Sequence, residues 1–305
     1  MEDRERHRRG IAYGLGAYGL WGLVPLYWPL LADAGPVEIL AHRIVWSLVL
    51  AGLLLVVLRR RGWWRGVTRP RVLALLTAAA ALIAVNWGVY IAAVNSGHVV
   101  EAALGYYINP IFSVLLGVFV LRERLAVGQW AAVGLAGAAV VVLAVDYGRP
   151  PWVALTLAAS FATYGLLKKR INSGALETLT IESAVLTPVA IGYLVWLQLT
   201  GALVFGHHGA GQALLLASAG LVTLIPLLLF AAAATRLPLS TVGLLQYLTP
   251  TAQFLLGVFY FGEAMSPARW IGFALVWVAL VVLTVVGLRS ARPRPAEVVE
   301  ATEPL

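Results

Sequence analysis

Residues 107–130 read YINPIFSVLLGVFVLRERLAVGQW, and residues 247–270 read YLTPTAQFLLGVFYFGEAMSPARW. At one constant offset Tyr107 falls on Tyr247, Pro110 on Pro250, Glu123 on Glu263 and Trp130 on Trp270. Between them Leu115-Leu116-Gly117-Val118-Phe119 falls on Leu255-Leu256-Gly257-Val258-Phe259. Apolar segments resemble one another by chance, but five consecutive identities with spaced Pro, Glu and Trp do not arise that way. Nearer the start of each half, Glu38 matches Glu177, and Trp21-Gly22-Leu23 matches Tyr164-Gly165-Leu166. The chain reads as two copies of one unit.

The unit belongs in a membrane. Of 305 residues, 61% are hydrophobic and 12% charged, with a mean hydropathy of +0.86. A soluble domain is roughly 45–50% apolar and about 25% charged, so water could not cover this surface. A bilayer core of ~30 Å needs about 20 residues of helix. Cuts at charged or Gly/Pro-rich breaks leave ten such runs: 11–31, 37–58, 72–94, 102–121, 129–145, 152–167, 176–199, 213–235, 240–261 and 267–288. They are unbroken apolar stretches, not the alternating segments of a barrel, so an all-α integral membrane protein of ten transmembrane helices is expected.

Charge gives the orientation. With the N-terminus inside, nineteen Lys and Arg fall on inner segments and two, Arg149 and Arg269, on outer ones; Arg43 lies within a span. That bias is the positive-inside pattern, and it predicts a multi-pass protein of the cytoplasmic membrane with both termini cytoplasmic. Five spans per copy reverse the second copy, and the charges agree. Arg122-Glu123-Arg124 is inside, while Gly262-Glu263-Ala264 is outside and has lost both arginines. The expected organisation is a cytoplasmic segment 1–10, repeats at 11–147 and 150–288, and a disordered cytoplasmic tail 289–305.

Other functions fit less well. A net charge of +8 invites nucleic acid, but the basic residues punctuate apolar runs instead of forming a face with stacking aromatics. Cysteine is absent, His207-His208 has no spaced third ligand, and no phosphate-binding loop occurs, so neither a metal nor a cofactor is expected. A lipid-modifying membrane enzyme would need a polar cluster at one interface, and a receptor or sensor a signalling domain. Inverted repeats instead point to secondary transport with the path at the repeat interface.

PVEILAHRIVWSLVL (36–50), NWGVYIAAVNSGHVVEAALGYYINP (86–110) and LPLSTVGLLQYLTPTAQFLLGVFYFGE (237–263) resemble the RarD group of the EamA family, in the drug/metabolite transporter superfamily. The likeness runs from about Tyr13 to Leu288. It implies ten helices, two EamA repeats, and a cytoplasmic-membrane exporter or permease of small molecules; the missing phosphate-binding loop argues against ATP as its drive.

Ionisable groups inside hydrocarbon are costly and by default face a cavity or a partner. In the first copy the substrate-cavity candidates are Trp21, Glu38, His42, Arg43, Asn86, Trp87, Tyr90, Tyr106 and Asn109. Glu38 and His42 share a helix face, as do Asn86 and Tyr90. In the second copy they are Tyr164, Glu182, Gln246 and Tyr247, and Arg43 aligns approximately with Glu182. The plainer readings are that Arg43 pairs with Glu38 or spans a helix contact, that His42 is a packed core histidine, and that Trp87 and Tyr90 are membrane-interface aromatics. Pro110 and Pro250 are expected as helix breaks or kinks. Ala131, Gly134, Gly137 and Ala138 suit close helix packing or, more sharply, a homodimer contact.

Overall fold

The computed structural model describes residues 2–60, 62–122, 124–171 and 173–290. Arg61, Glu123 and residues 291–305, most of the expected tail, lie outside the described residues. Within a bilayer every backbone N–H and C=O needs an internal partner, and helices supply one along each apolar run. The elements are α1 (Glu2–Leu23), α2 (Gly35–Val57), the short α3 (Trp64–Val67), α4 (Pro70–Asn95), α5 (Val99–Leu121) and α6 (Val127–Tyr147). They continue with α7 (Trp152–Ile171), α8 (Ala175–Thr200), α9 (Gly209–Ala234), α10 (Leu239–Leu245), α11 (Leu248–Leu255) and α12 (Pro267–Ser290).

Among the described residues eight segments are long and apolar enough to cross a membrane. The other two expected spans, α1 and α7, are helices of comparable length that fall short in composition. Arg4, Arg6, Arg8 and Arg9 load the start of α1, and Lys168, Lys169 and Arg170 close α7.

Two expected spans differ in form. The run 11–31 is helical only to Leu23, after which two 3₁₀ turns, Val24–Leu26 and Trp28–Ala34, carry the chain to α2. Pro25 and Pro29 lack the N–H donors that a continuing α-helix requires. The run 240–261 is split between α10 and α11 and ends in a π-turn, Leu256–Tyr260. Pro250 cannot bond the carbonyl of Gln246, where the split falls. Pro110, by contrast, sits inside an unbroken α5, so the expected break there is corrected: one missing donor leaves the other turns intact.

The principal packing joins the two halves. Helix α2 packs on α8 and α9, α4 on α7 and α8, α1 on α9 and α11, α5 on α7 and α11, and α6 on α12. Between these helices lie buried clusters, one around Leu104, Leu143, Phe254 and Phe273 and another around Trp28, Leu31, Ile91 and Leu216. The outer faces keep large apolar side chains exposed, among them Val141, Leu199, Phe259 and Val281. Such a surface suits lipid and not water. Gly134 and Gly137 carry no neighbour within 4 Å of where a Cβ would stand, so neither lies at a tight helix contact within the chain.

At the end of the bundle away from the N-terminus, carboxylates bind helix starts and loops. Glu38 accepts from the backbone N–H of Val204 and Phe205 at 3.0 and 3.1 Å. Glu263 accepts from Val99 and Val100 at 2.5 and 3.0 Å, and Glu101 from Val153 at 3.1 Å. Helix N-termini carry unpaired N–H groups and partial positive charge, so an anion is the natural partner.

Candidate substrate site

Arg43 occupies the interior of α2 and is only 7% exposed. Its Nε donates to Thr223 Oγ1 of α9 at 2.9 Å. Its guanidinium carbon stands 3.9 Å from the ring centroid of Trp87 on α4 and 5.3 Å from that of Trp28 in the 3₁₀ segment. Tyr27, Tyr90 and Tyr106 are close enough to interact with it electrostatically. Five elements thus converge on one cation. Among the described residues no carboxylate lies within ion-pair distance of it, and its terminal nitrogens have no hydrogen-bond partner.

The surrounding side chains are tied to one another. Tyr106 donates to Asn86 Oδ1 at 3.1 Å, and Asn86 Nδ2 donates to Leu157 O and Ser160 Oγ of α7, both at 3.0 Å. Tyr90 and Tyr106 meet edge to face with centroids 5.6 Å apart. A buried cation costs at least ~2.5 kcal/mol at the centre of a membrane helix by insertion scales. A desolvated cation–π contact returns ~2 kcal/mol. A membrane side-chain hydrogen bond returns about 0.6. These contacts roughly hold the charge in place without giving it a counter-ion.

The expected pairing of Arg43 with Glu38 is therefore corrected. Glu38 turns to the loop before α9, with His42 Nε2 3.8 Å away, beyond a hydrogen bond. The ring of His42 stacks near Phe205 with centroids 4.5 Å apart. Tyr90 is buried and Trp87 half-buried, and the Trp87 ring lies against the Arg43 guanidinium. Asn109 stays outside the Arg43 cage. Its Oδ1 lies 3.5 Å from Ser113 Oγ on its own helix, and its buried Nδ2 has no partner.

The second-copy candidates do not gather in one place. Glu182 forms an ion pair with Lys168 at 2.9 Å and accepts from Tyr164 at 3.2 Å. Lys168 also bonds Thr178. This carboxylate is neutralised where Arg43 is not. Tyr247 packs with the α6 and α12 cluster, and Gln246 lies at the split between α10 and α11. Trp21 packs with Tyr18 and Phe230. Its carbonyl accepts from Gln253 at 3.1 Å.

Sequence reasoning missed Trp28, Thr223 and Lys168. Trp28 sits in a proline-flanked turn that read as part of a straight span. Thr223 is one hydroxyl in a long apolar run, and it also bonds Ala219 O in its own helix at 3.0 Å.

A second polar locus is a cavity of about 350 Å³ lined in part by His98, Glu101, Asp146, Arg149, Glu263 and Arg269. Its charges are matched: Arg149 with Glu101, and Arg269 with Asp146, each at 2.8 Å. The hydrogen bond and charge of Glu101 hold the Arg149 guanidinium above its usual value. Burial pushes the Glu263 carboxyl up, opposed by the N–H groups of Val100 and Val99.

Comparison with known proteins fits this architecture. The sequence profile of the EamA-like transporter family matches residues 8–145. The protein RarD of Streptomyces exfoliatus is 59% identical over 100% of this chain and 96% of its own length. An uncharacterized transporter of Pseudomonas aeruginosa is 43% identical over 94% of this chain and 97% of its own. A solved crystal structure, 19% identical, aligns over 93% of this chain and 99% of its own with a TM-score of 0.61, a likeness of fold alone. With several helices long and apolar enough to cross a membrane and full-length relatives of this kind, the chain is a multi-pass membrane transporter and belongs to the RarD group of the EamA-like family.

Proposed function

We propose that the protein is a secondary transporter that moves small organic amphiphilic solutes across the cytoplasmic membrane by alternating access. It does so between two inverted five-helix repeats, 11–147 and 150–288. In this reading α1, α2, α4, α5 and α6 correspond to α7, α8, α9, the α10–α11 pair and α12, which makes ten spans with both termini cytoplasmic. The observation that carries it is packing. Exchanging the halves turns the α1–α9 contact into α7–α4, α2–α9 into α8–α4, and α1–α11 into α7–α5. The contacts α2–α8, α5–α11 and α6–α12 map onto themselves. A dyad in the membrane plane through these three contacts is the axis about which such repeats exchange conformations.

The chain has no cysteine, so single cysteines can be labelled without background. Asn109→Cys and Thr249→Cys, reconstituted in proteoliposomes, report the outer and inner halves of the path. Saturating solute should change their reactivity to a membrane-impermeant maleimide in opposite directions, and counterflow of labelled solute should accompany it. A change of the same sign at both positions refutes alternating access. Absence of counterflow for every solute tried refutes the reading of this site as a transport path.

A further inference from the structure

Among the described residues three carboxylates are buried and all are engaged: Glu38 by two backbone amides, Glu101 by Arg149 and the N–H of Val153, and Glu182 by Lys168 and Tyr164. Among the same residues one buried cation is left over. Arg43 spends a single N–H on Thr223 and faces rings with the rest. A guanidinium offers five N–H donors in a planar fork, so four remain to be satisfied. Two further buried groups in the same cage, Trp28 Nε1 and the Tyr90 hydroxyl, also lack hydrogen-bond partners. Unpartnered buried polar groups are uncommon in native proteins, and here two of them stand beside a guanidinium whose terminal nitrogens have no hydrogen-bond partner among the described residues. All three can donate, and two of them can only donate. What the cage lacks is an acceptor with negative charge.

We propose that this cage recognises an organic monocarboxylate, whose planar oxyanion takes the Arg43 fork and whose aromatic or apolar remainder lies against Trp28, Trp87, Tyr90 and Tyr106. The proposal rests on the transport reading above and narrows its substrate from amphiphiles at large to one charge class. A single negative charge matches a single guanidinium, and a carboxylate matches its bidentate geometry. A dianion would carry one unmatched charge into a site that an apolar aromatic wall surrounds. A cationic solute would meet Arg43 directly and would find the buried carboxylates already taken. A free amino group on the same solute is disfavoured for that reason.

The test uses the purified full chain in detergent and a fixed panel: benzoate, phenylacetate and octanoate, each beside its neutral amide, with phenethylamine as the cation. Binding is read by calorimetric titration. At least one acid is expected to bind at least about ten-fold more tightly than its amide, the difference made by a charge-assisted hydrogen-bond pair. Phenethylamine should not compete. Arg43→Gln should erase the acid-over-amide preference, and Arg43→Lys, which keeps the charge without the fork, should retain part of it. The wild-type comparison alone decides the matter if either variant fails to fold. Equal affinity for acid and amide, preference for the amine, a preference that survives in Arg43→Gln, or no binding by any panel member overturns the proposal. Counterflow separates it from the reading beneath. Arg43-dependent acid binding without movement across vesicles would sink the transporter reading alone, and movement of amides or amines but not acids would sink the charge class alone.

Discussion

Gly220 on α9 lies against the backbone of α2, one turn from Thr223. A Cβ added there would stand 2.7 Å from the carbonyl carbon and 2.8 Å from the carbonyl oxygen of Trp46. Neither atom can rotate away, so Gly220→Ala forces the two helices apart by roughly 0.7–1 Å to reach ordinary contact distance. Overpacking of this kind costs about 1–3 kcal/mol, and contact with backbone belongs at the upper end. The gain in helix propensity from Gly to Ala is about 1 kcal/mol, which leaves a net loss of about 2 kcal/mol. The same displacement would stretch the 2.9 Å bond between Arg43 and Thr223 beyond hydrogen-bond range. The variant should therefore unfold at lower temperature in detergent and lose solute binding even where it remains folded. Gly134→Ala, at a helical glycine with open space around it, should instead be stabilising by up to about 1 kcal/mol. If Gly220→Ala proved as stable as Gly134→Ala, the close approach of α2 and α9 described here would be wrong.

Removing the Glu38 side chain as Ala orphans the Val204 and Phe205 amides and should cost about 2–6 kcal/mol, whereas Gln keeps an acceptor and should cost about 1. Thermal unfolding of the pair checks this, and equal losses would refute the amide contacts. Asn86→Ala should cost about 2–4 kcal/mol, because the Tyr106 hydroxyl loses its acceptor in a buried site; Ser160→Ala, which removes one shared contact, should cost under about 1 kcal/mol in the same assay. Glu263 has a folded-state pKa raised by burial, so it binds its proton more readily folded than unfolded. Its contribution is fully present below the ordinary value of 4.5 and is lost as pH rises through the folded value. The melting temperature of the wild type relative to Glu263→Gln should accordingly fall over that window, and a difference independent of pH would contradict it.

Much of the bundle was legible in the chain because a bilayer simplifies the rules. Apolar runs of spanning length become helices, and the gapless match of residues 107–130 to 247–270 can be read directly off the chain. The Arg43 site was legible in part, since costly polar groups stand out in apolar runs. Arg43, Asn86, Trp87, Tyr90 and Tyr106 do come together. Partners across helices were not legible. Helical period puts Glu38 one turn from His42 and five residues from Arg43, yet Glu38 takes two backbone N–H donors in the loop before α9. Trp28 could not be placed, because Pro25 and Pro29 bend a segment whose hydropathy reads as straight helix. Gln246 and Tyr247 were assigned by analogy between copies, and a split helix moved them out of that analogy.

The pentapeptide LLGVF occurs twice and does not keep one shape. As Leu115–Phe119 it continues a regular α-helix; at 255–259 its first residue closes α11 and the next four enter a π-turn. Identical letters in two backbone states mean that the choice is not written in those letters. It comes from the neighbours. A Cβ on Gly257 would stand 2.6 Å from the Val100 side chain, and the N–H of Glu263 reaches back to the Gly257 carbonyl at 2.9 Å. The extra residue in the turn rotates everything beyond it by about 100°, and that rotation delivers Glu263 to the start of α5. Transplanting the pentapeptide from one site to the other would leave the amino-acid sequence unchanged. One stretch of spelling thus serves two backbone forms, each chosen by what surrounds it.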